Sequence, residues 1–202
     1  MHIVDGVLSA PVLIAGAAVS AAGCATGLKQ MTEEKLPQTA VLAAMFFIAS
    51  LIHVPVGPSS VHMVFTGLLG LVLGWLAFPA ILTGLILQAL FFGFGGLFVL
   101  GVNVMNIALP AVITGHLLRP LLKNCSRKKA SVVGFAAGVL SLGLTTLMVA
   151  TSLALSGDEF ITGAKAVFLA HIPIMVIEGV LSAFATSMLY QVRPSVLGLK
   201  AV

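Results

Sequence analysis

HMVFTGLLGLVLGWLAF, residues 62–78, runs directly into PAILTGLILQALFFGFGGLFV, residues 79–99, and neither stretch holds a Lys, Arg, Asp or Glu. Each is close to the ~20 apolar residues that cross the hydrocarbon core of a bilayer as a helix. Only Phe78-Pro79 divides them. Proline lacks a backbone donor and restricts the residue before it, so this pair predicts a tight turn between two spans. Working outward, turn and charge signals mark off five more such runs, near residues 8–28, 38–55, 103–122, 131–155 and 163–192. The expectation is an all-α polytopic membrane protein of about seven transmembrane helices, with residues 1–202 forming one domain.

Composition points the same way. With 59% hydrophobic residues, 8% charged residues and a mean hydropathy of +1.17, the chain lacks the charge that a soluble surface requires. If the N-terminus lies outside, Lys29, Lys35, Arg119, Lys123, Arg127, Lys128, Lys129, Arg193 and Lys200 fall inside and only Lys165 falls outside. An odd number of spans separates the termini, so the positive-inside rule predicts an outer N-terminus and a cytoplasmic C-terminus. The formal net charge of +4 then reflects topology and contact with anionic lipid rather than nucleic acid. Ala21-Ala22-Gly23-Cys24 loosely resembles a lipoprotein processing site. However, no basic residue precedes the first apolar run and Asp5 stands where a basic region belongs, so a retained first span is expected. Cys24 falls in a span and Cys125 in a cytoplasmic loop, which favours neither a disulfide nor a thiolate metal site.

The chain starts Met1-His2. Methionine removal normally needs a small second residue, so the expected terminus is a free amine on Met1. That amine, the His2 amide nitrogen and the His2 imidazole can close two fused chelate rings on one metal ion. Such a nitrogen set is planar and suits Ni(II) or Cu(II) before Zn(II). A second polar region, Val54-Pro55-Val56-Gly57-Pro58-Ser59-Ser60-Val61-His62, joins the second and third spans on the same side. Non-helical backbone at membrane depth belongs where protein buries it or where it lines a cavity. His62 is placed either to supply a fourth in-plane nitrogen or to cap a helix and hydrogen-bond a carbonyl. Ser59, Ser60, His53, Asn103 and Asn106 are candidates to orient an imidazole or line the pocket.

Other polar residues inside spans carry their own expectations. His171 and Glu178 are seven apart, on one helix face, and either form a proton relay or pair with each other or with backbone freed by Pro173. His116 lies near the inner end of the fifth span. Met63, Met105, Met148, Met175 and Met188 read as packing residues. The first span carries Ala15, Gly16, Ala17, Ala18, Ser20, Ala21, Ala22 and Gly23, a small-residue surface for close helix approach, within the chain or against a partner.

Met1-His2-Ile3-Val4-Asp5-Gly6, Gly57-Pro58-Ser59-Ser60-Val61-His62, Gln88 with Gly95-Gly96, Gly101-Val102-Asn103-Val104-Met105-Asn106, and Ala170-His171-Ile172-Pro173 with Glu178-Gly179 together resemble the CbiM/NikM family. These are substrate-binding membrane subunits of energy-coupling-factor transporters for cobalt and nickel. The resemblance runs across essentially the whole chain. It implies a metal site of the Met1 amine, the His2 amide nitrogen, the His2 imidazole and, here, the imidazole of His62, with Ni(II) or Co(II) as the transported substrate. It also implies a transmembrane coupling subunit, two cytoplasmic ATPases and in some systems a small accessory membrane subunit as partners, in a prokaryotic plasma membrane. The chain shows no Gly-x-x-x-x-Gly-Lys-Ser/Thr loop, so ATP use is expected from the partners, and the chain is expected not to be an enzyme. Nickel-type members often carry a Gly-Ser-Cys-Ser-His-like loop where this chain has Gly57–His62, which leaves nickel and cobalt both open.

Two rival readings remain. A proton-coupled secondary metal carrier would use His171, Glu178 and His53 without ATPase partners, although no inverted repeat is visible. A serine hydrolase would use Ser59 or Ser60 with His62, but the spacing is short and the Gly-x-Ser-x-Gly elbow is missing.

Overall fold

In an apolar solvent every backbone N–H and C=O needs an internal partner, so an apolar chain of this length resolves into helices wherever it can. The computed structural model describes residues 2–56 and 59–199. Among these it forms seven α-helices, one within or across each of the seven apolar runs: α1 (Ala10–Lys29), α2 (Leu36–Ala49), α3 (Thr66–Leu73), α4 (Ala77–Phe92), α5 (Leu100–Leu118), α6 (Arg127–Ala154) and α7 (Ile161–Val192). Between α2 and α3 lies an antiparallel pair of strands, β1 (His53–Val56) and β2 (Ser59–His62), with His53 opposite His62.

The helices alternate in direction, as their end contacts show. At one end the Ser9 N–H donates to Ser156 Oγ at 3.2 Å, joining the start of α1 to the end of α6. Gln88 near the end of α4 donates to Ser50 at the end of α2. At the other end, Arg119 Nε donates to the Leu197 carbonyl at 2.9 Å, Gln38 Nε2 to the Val196 carbonyl at 3.3 Å, and the Tyr190 hydroxyl to the Cys125 carbonyl at 2.5 Å. His2 and Leu197 therefore lie at opposite ends of the bundle.

The lengths depart from seven like spans. Among the described residues five stretches are long and apolar enough to cross a membrane, with α3, its following turn and α4 counted as one of them, 66–92. α2 has 14 residues and α3 only eight. The turn within 66–92 is not at Phe78-Pro79, as the sequence predicts, but at Gly74, which adopts φ +55, followed by a 3-10 turn over Gly74–Leu76. Pro79 is the third residue of α4, where the amide it lacks would have no intrahelical partner. α3 then descends from the His62 end and α4 returns to it.

All eight residues of α3 are buried, so this short helix is the axis of the bundle. Its neighbours come close because both sides are glycine. A Cβ on Gly70 would fall onto the Ala111 carbonyl oxygen, one on Gly115 onto the Gly70 carbonyl oxygen, and one on Gly67 onto the backbone of Ala137. The small-residue face of α1 is used within the chain: Gly16 packs on Val102, Gly23 on Phe78, Gly27 on the Trp75 carbonyl, and Ser20 Oγ donates to the Gly101 carbonyl at 2.5 Å. Ala17 packs on Gly101, while Ala15, Ala18, Ala21 and Ala22 stay exposed.

Overpacking at a backbone crossing costs roughly 1–3 kcal/mol. Gly115→Ala is therefore expected to lower the melting temperature in detergent. Gly143→Ala, whose new methyl would meet only Met175 Sδ at 3.9 Å inside α6, should not lower it and gains the helix propensity of alanine. Equal melting curves for the two variants would contradict the close α3–α5 crossing.

Candidate metal centre

Residues 2–8 run in extended and turn conformation into the end of the bundle, and a non-helical segment there needs its backbone satisfied from outside itself. Asn103, in the first turn of α5, does this with both ends of its amide. The Ile3 N–H donates to Asn103 Oδ1 at 3.0 Å, and Asn103 Nδ2 donates to the Ile3 carbonyl at 3.1 Å. The loop between α4 and α5 closes over the segment. The Asp5 N–H donates to the Gly95 carbonyl at 3.3 Å, while Asp5 Oδ1 accepts from the Val99 N–H at 3.0 Å. The Asp5 carboxylate occupies the place a side chain would take at Gly96, which is why that position is glycine. His2 and Ile3 are buried as a result.

The protonation pattern at His2 can be read from an acceptor that has no alternative. Ser50 Oγ donates to the Phe46 carbonyl at 2.8 Å or the Phe47 carbonyl at 3.0 Å, and carbonyls only accept. The Ser50 oxygen is then left to accept from Gln88 Nε2. With its NH2 so engaged, Gln88 presents Oε1 to His2 Nε2 at 2.5 Å. That nitrogen must be the N–H, and the lone pair of a neutral His2 ring sits on Nδ1. Nδ1 is the nitrogen from which a ring closes back to the residue's own amide.

His62 ends β2 beside it. The two imidazole centroids are 4.7 Å apart and tilted by 32°. His62 Nδ1 lies 3.3 Å from the Met63 carbonyl, which again accepts only, so Nδ1 carries the proton. Nε2 carries the lone pair, is buried, and has no hydrogen-bond partner among the described residues. Two neighbouring imidazoles thus each have one nitrogen fixed as donor to protein and the other left basic, the state in which histidine ligates metals. Among the described residues no group of three or more His, Cys, Asp or Glu is placed to hold a metal.

The sequence-derived candidates divide accordingly. His2, His62 and Asn103 are brought together. Asn106 is not: it exchanges hydrogen bonds with Ser152 at 3.2 Å, on α6, one turn deeper. Met1 lies outside the described residues, as do the side chains of His53, Ser59 and Ser60. His171 and Glu178 do not pair with each other. His171 Nδ1 donates to the Val167 carbonyl at 2.6 Å, and Glu178 Oε1 accepts from the N–H groups of Val64 at 2.5 Å and Phe65 at 2.8 Å. The backbone that Glu178 serves is therefore that of the segment after His62, not that freed by Pro173. His116 is exposed near the opposite end, its Nδ1 on the Val112 carbonyl at 2.8 Å. Sequence reasoning gave no role to Ser50, and Gln88 entered it only as part of a family pattern.

Comparison with known proteins shows the family to which the chain belongs. Residues 2–196 match the model of the CbiM family, the cobalt uptake substrate-specific transmembrane region. A Haemophilus influenzae protein assigned to metal transport is 41% identical over 98% of this chain and 97% of its own length. The fused nickel transport protein NikMN of Rhodobacter capsulatus is 32% identical over 54% of this chain and 33% of its own length. A crystal structure of a transition metal transporter has the same fold, with a TM-score of 0.81 at 24% identity over 95% of this chain and 93% of that one.

Asn103→Ala removes two buried hydrogen bonds worth roughly 1 kcal/mol each. Hydrogen-exchange protection of the Ile3 amide is expected to fall by about thirtyfold, the same energy expressed as a ratio, while exchange in α6 and α7 is unaffected. Unchanged protection at Ile3 would mean that the segment is held by something other than this clamp.

Proposed function

We propose, from the premise that this chain belongs to the CbiM family of membrane cobalt and nickel transport proteins, that it is the substrate-specificity subunit of an energy-coupling-factor importer. In this reading it takes Ni(II) or Co(II) from the outer face. The observation that carries the reading is the pair of buried imidazoles, His2 and His62, with ring centroids 4.7 Å apart and each locked in the tautomer that leaves one nitrogen basic. The metal would be held by the Met1 amine, the His2 amide nitrogen and His2 Nδ1, with His62 Nε2 as the fourth ligand. His2 and His62 lie at one end of the bundle, opposite the Leu197 end. By the positive-inside rule the end carrying Lys29, Lys35, Arg119 and Arg127–Lys129 faces the cytoplasm, so the His2 end faces out.

The chemistry follows from the donor set. A backbone amide gives up its proton only to a metal held on both sides of it, here by an amine and an imidazole, so binding releases protons and weakens as the outer medium acidifies. A plane of strong nitrogen donors suits eight-electron Ni(II), and Cu(II) would bind it more tightly still. Selectivity therefore rests on geometry and metal availability rather than on raw affinity. Gln88 acts at one remove, holding the His2 ring in orientation and tautomer. Energy for release to the cytoplasm would come from partner ATPases through a transmembrane coupling subunit. The existence of a fused relative such as NikMN supports a membrane partner of some kind. The rival carrier reading needs His171 and Glu178 to pass a proton between them; the two side chains are not hydrogen-bonded to each other, and each bonds a backbone group through one atom, His171 Nδ1 and Glu178 Oε1.

Two tests follow. Any residues added ahead of Met1 replace the amine by an amide, so an N-terminal extension should abolish tight metal binding in the folded protein while a C-terminal tag leaves it intact. An N-extended protein that binds normally sinks the chelate. Among substitutions, His2→Ala and His62→Ala should each eliminate transport and Gln88→Leu should weaken metal binding by roughly 10–100-fold. His116→Ala should be neutral. Competition binding on purified variants measures the series, and normal affinity in His62→Ala would remove it as the fourth ligand.

A further inference from the structure

Glu178 stands at the middle of α7, fully buried, and no part of the proposed donor set uses it. Its Oε1 accepts two successive backbone N–H groups, those of Val64 and Phe65, 114 and 113 residues away in sequence. These two residues are the joint between the hairpin that ends in His62 and the axial helix α3. Phe65 is the N-cap of α3, has φ 52 and ψ 28, and provides no side-chain cap of its own. A bulky residue at positive φ is strained and persists only where its surroundings fix it. The first amides of a helix are also where a carboxylate binds most favourably. Glu178 supplies both from a different helix.

The consequence reaches the metal centre through the backbone of a single residue, Met63, which separates His62 from Val64. Among the described residues the His62 ring has no hydrogen bond to any helix; its Nδ1 is turned to the carbonyl of the next residue, Met63, and its Nε2 has no partner. Met63 in turn precedes the two clamped amides. α7 also packs against both strands of the hairpin. The place of His62 Nε2 relative to His2 is thus set by where Glu178 holds residues 64 and 65. We infer that Glu178 is a positioning residue of the metal site, holding the His62 imidazole in ligating register through the backbone of Val64 and Phe65.

This inference rests on His62 being the fourth ligand, and the test separates the two ideas. Cu(II) added to the purified full-length protein serves as a planar-nitrogen probe whose electron paramagnetic resonance reports the number of coordinated nitrogens. Wild type is expected to show four. Glu178→Leu fills the same space in an apolar bundle but accepts nothing; it should give three nitrogens and lose roughly 10–100-fold in Ni(II) affinity, as the removal of a ligand-orienting group does. Glu178→Gln keeps a carbonyl oxygen at the clamp, and because neutral hydrogen bonds are about half as strong as charge-assisted ones it should keep four nitrogens with a loss of no more than about tenfold. Should Glu178→Leu not fold, Glu178→Asp, whose carboxylate stops one methylene short, takes its place and should fall below Glu178→Gln.

His62→Ala is measured alongside. Four nitrogens in His62→Ala overturns the ligand assignment itself. Three nitrogens in His62→Ala but four, with wild-type Ni(II) affinity, in the Glu178 variant that accepts nothing overturns the positioning role alone. A Glu178→Gln protein as impaired as Glu178→Leu also overturns it, because acceptor geometry would then not be what matters. The expected signature of the inference is a double variant, Glu178→Leu with His62→Ala, that binds no worse than His62→Ala.

Discussion

A backbone amide carried into an apolar bundle must find an acceptor there, and this protein carries in two stretches of amides that no helix satisfies. One is the N-terminal segment before Ser9; the other is the hairpin and the joint that follows it, up to Phe65. Each is met by a polar side chain borrowed from a helix: Asn103 for the first, Glu178 for the second. Those side chains are buried polar groups in their own right, and would be destabilising without the backbone they serve. The mutual requirement fixes both segments in place. Because the segments meet at the same end of the bundle, it also brings two histidines within ring contact.

The same economy of donors and acceptors fixes proton positions. Acceptor-only carbonyls stand at the end of each chain of hydrogen bonds, at Phe46 for His2 and at Met63 for His62. Everything between must then point one way. A buried imidazole with a basic nitrogen and no partner would ordinarily be a poor use of burial. It becomes favourable if a cation supplies the missing partner, and exclusion of water keeps protons from competing for the same lone pair. In the proposed function this would link a buried, backbone-clamped site to capture of a divalent ion.

The fold was largely legible because apolar runs of bilayer length and their charged punctuation depend on composition alone, and each run proved to contain a helix. The turn inside 66–92 was not. Gly67, Gly70 and Gly74 look alike in sequence, yet the first two are packing glycines and only Gly74 takes positive φ; Phe78-Pro79 drew the eye because proline's rule is local while α4 had room for it in its first turn. Of the candidate site, His2 and His62 were legible from topology, since both fall on the same side, and their adjacency follows once two non-helical segments must share one end. Asn103 and Asn106 were indistinguishable three residues apart, and only packing against α6 sends Asn106 to Ser152. Ser50, Gln88 and Glu178 act across 38 to 114 residues of chain, a separation that leaves no periodic or local mark.

The depth of the site is a further consequence of α3 being short. An eight-residue helix rises only about 12 Å at 1.5 Å per residue, less than half the ~30 Å hydrocarbon thickness. The remainder of that passage is made by the hairpin and residues 63–65, so His62 stands below the end of the bundle rather than on a surface loop. Such a short axis is stable only because glycines let α5 and α6 close on it directly, replacing side-chain packing with backbone contact. A longer α3 with larger residues would be a better span by length and propensity. It would also push the hairpin outward, move His62 away from His2, and leave the carboxylate of Glu178 buried against apolar side chains with nothing to bind.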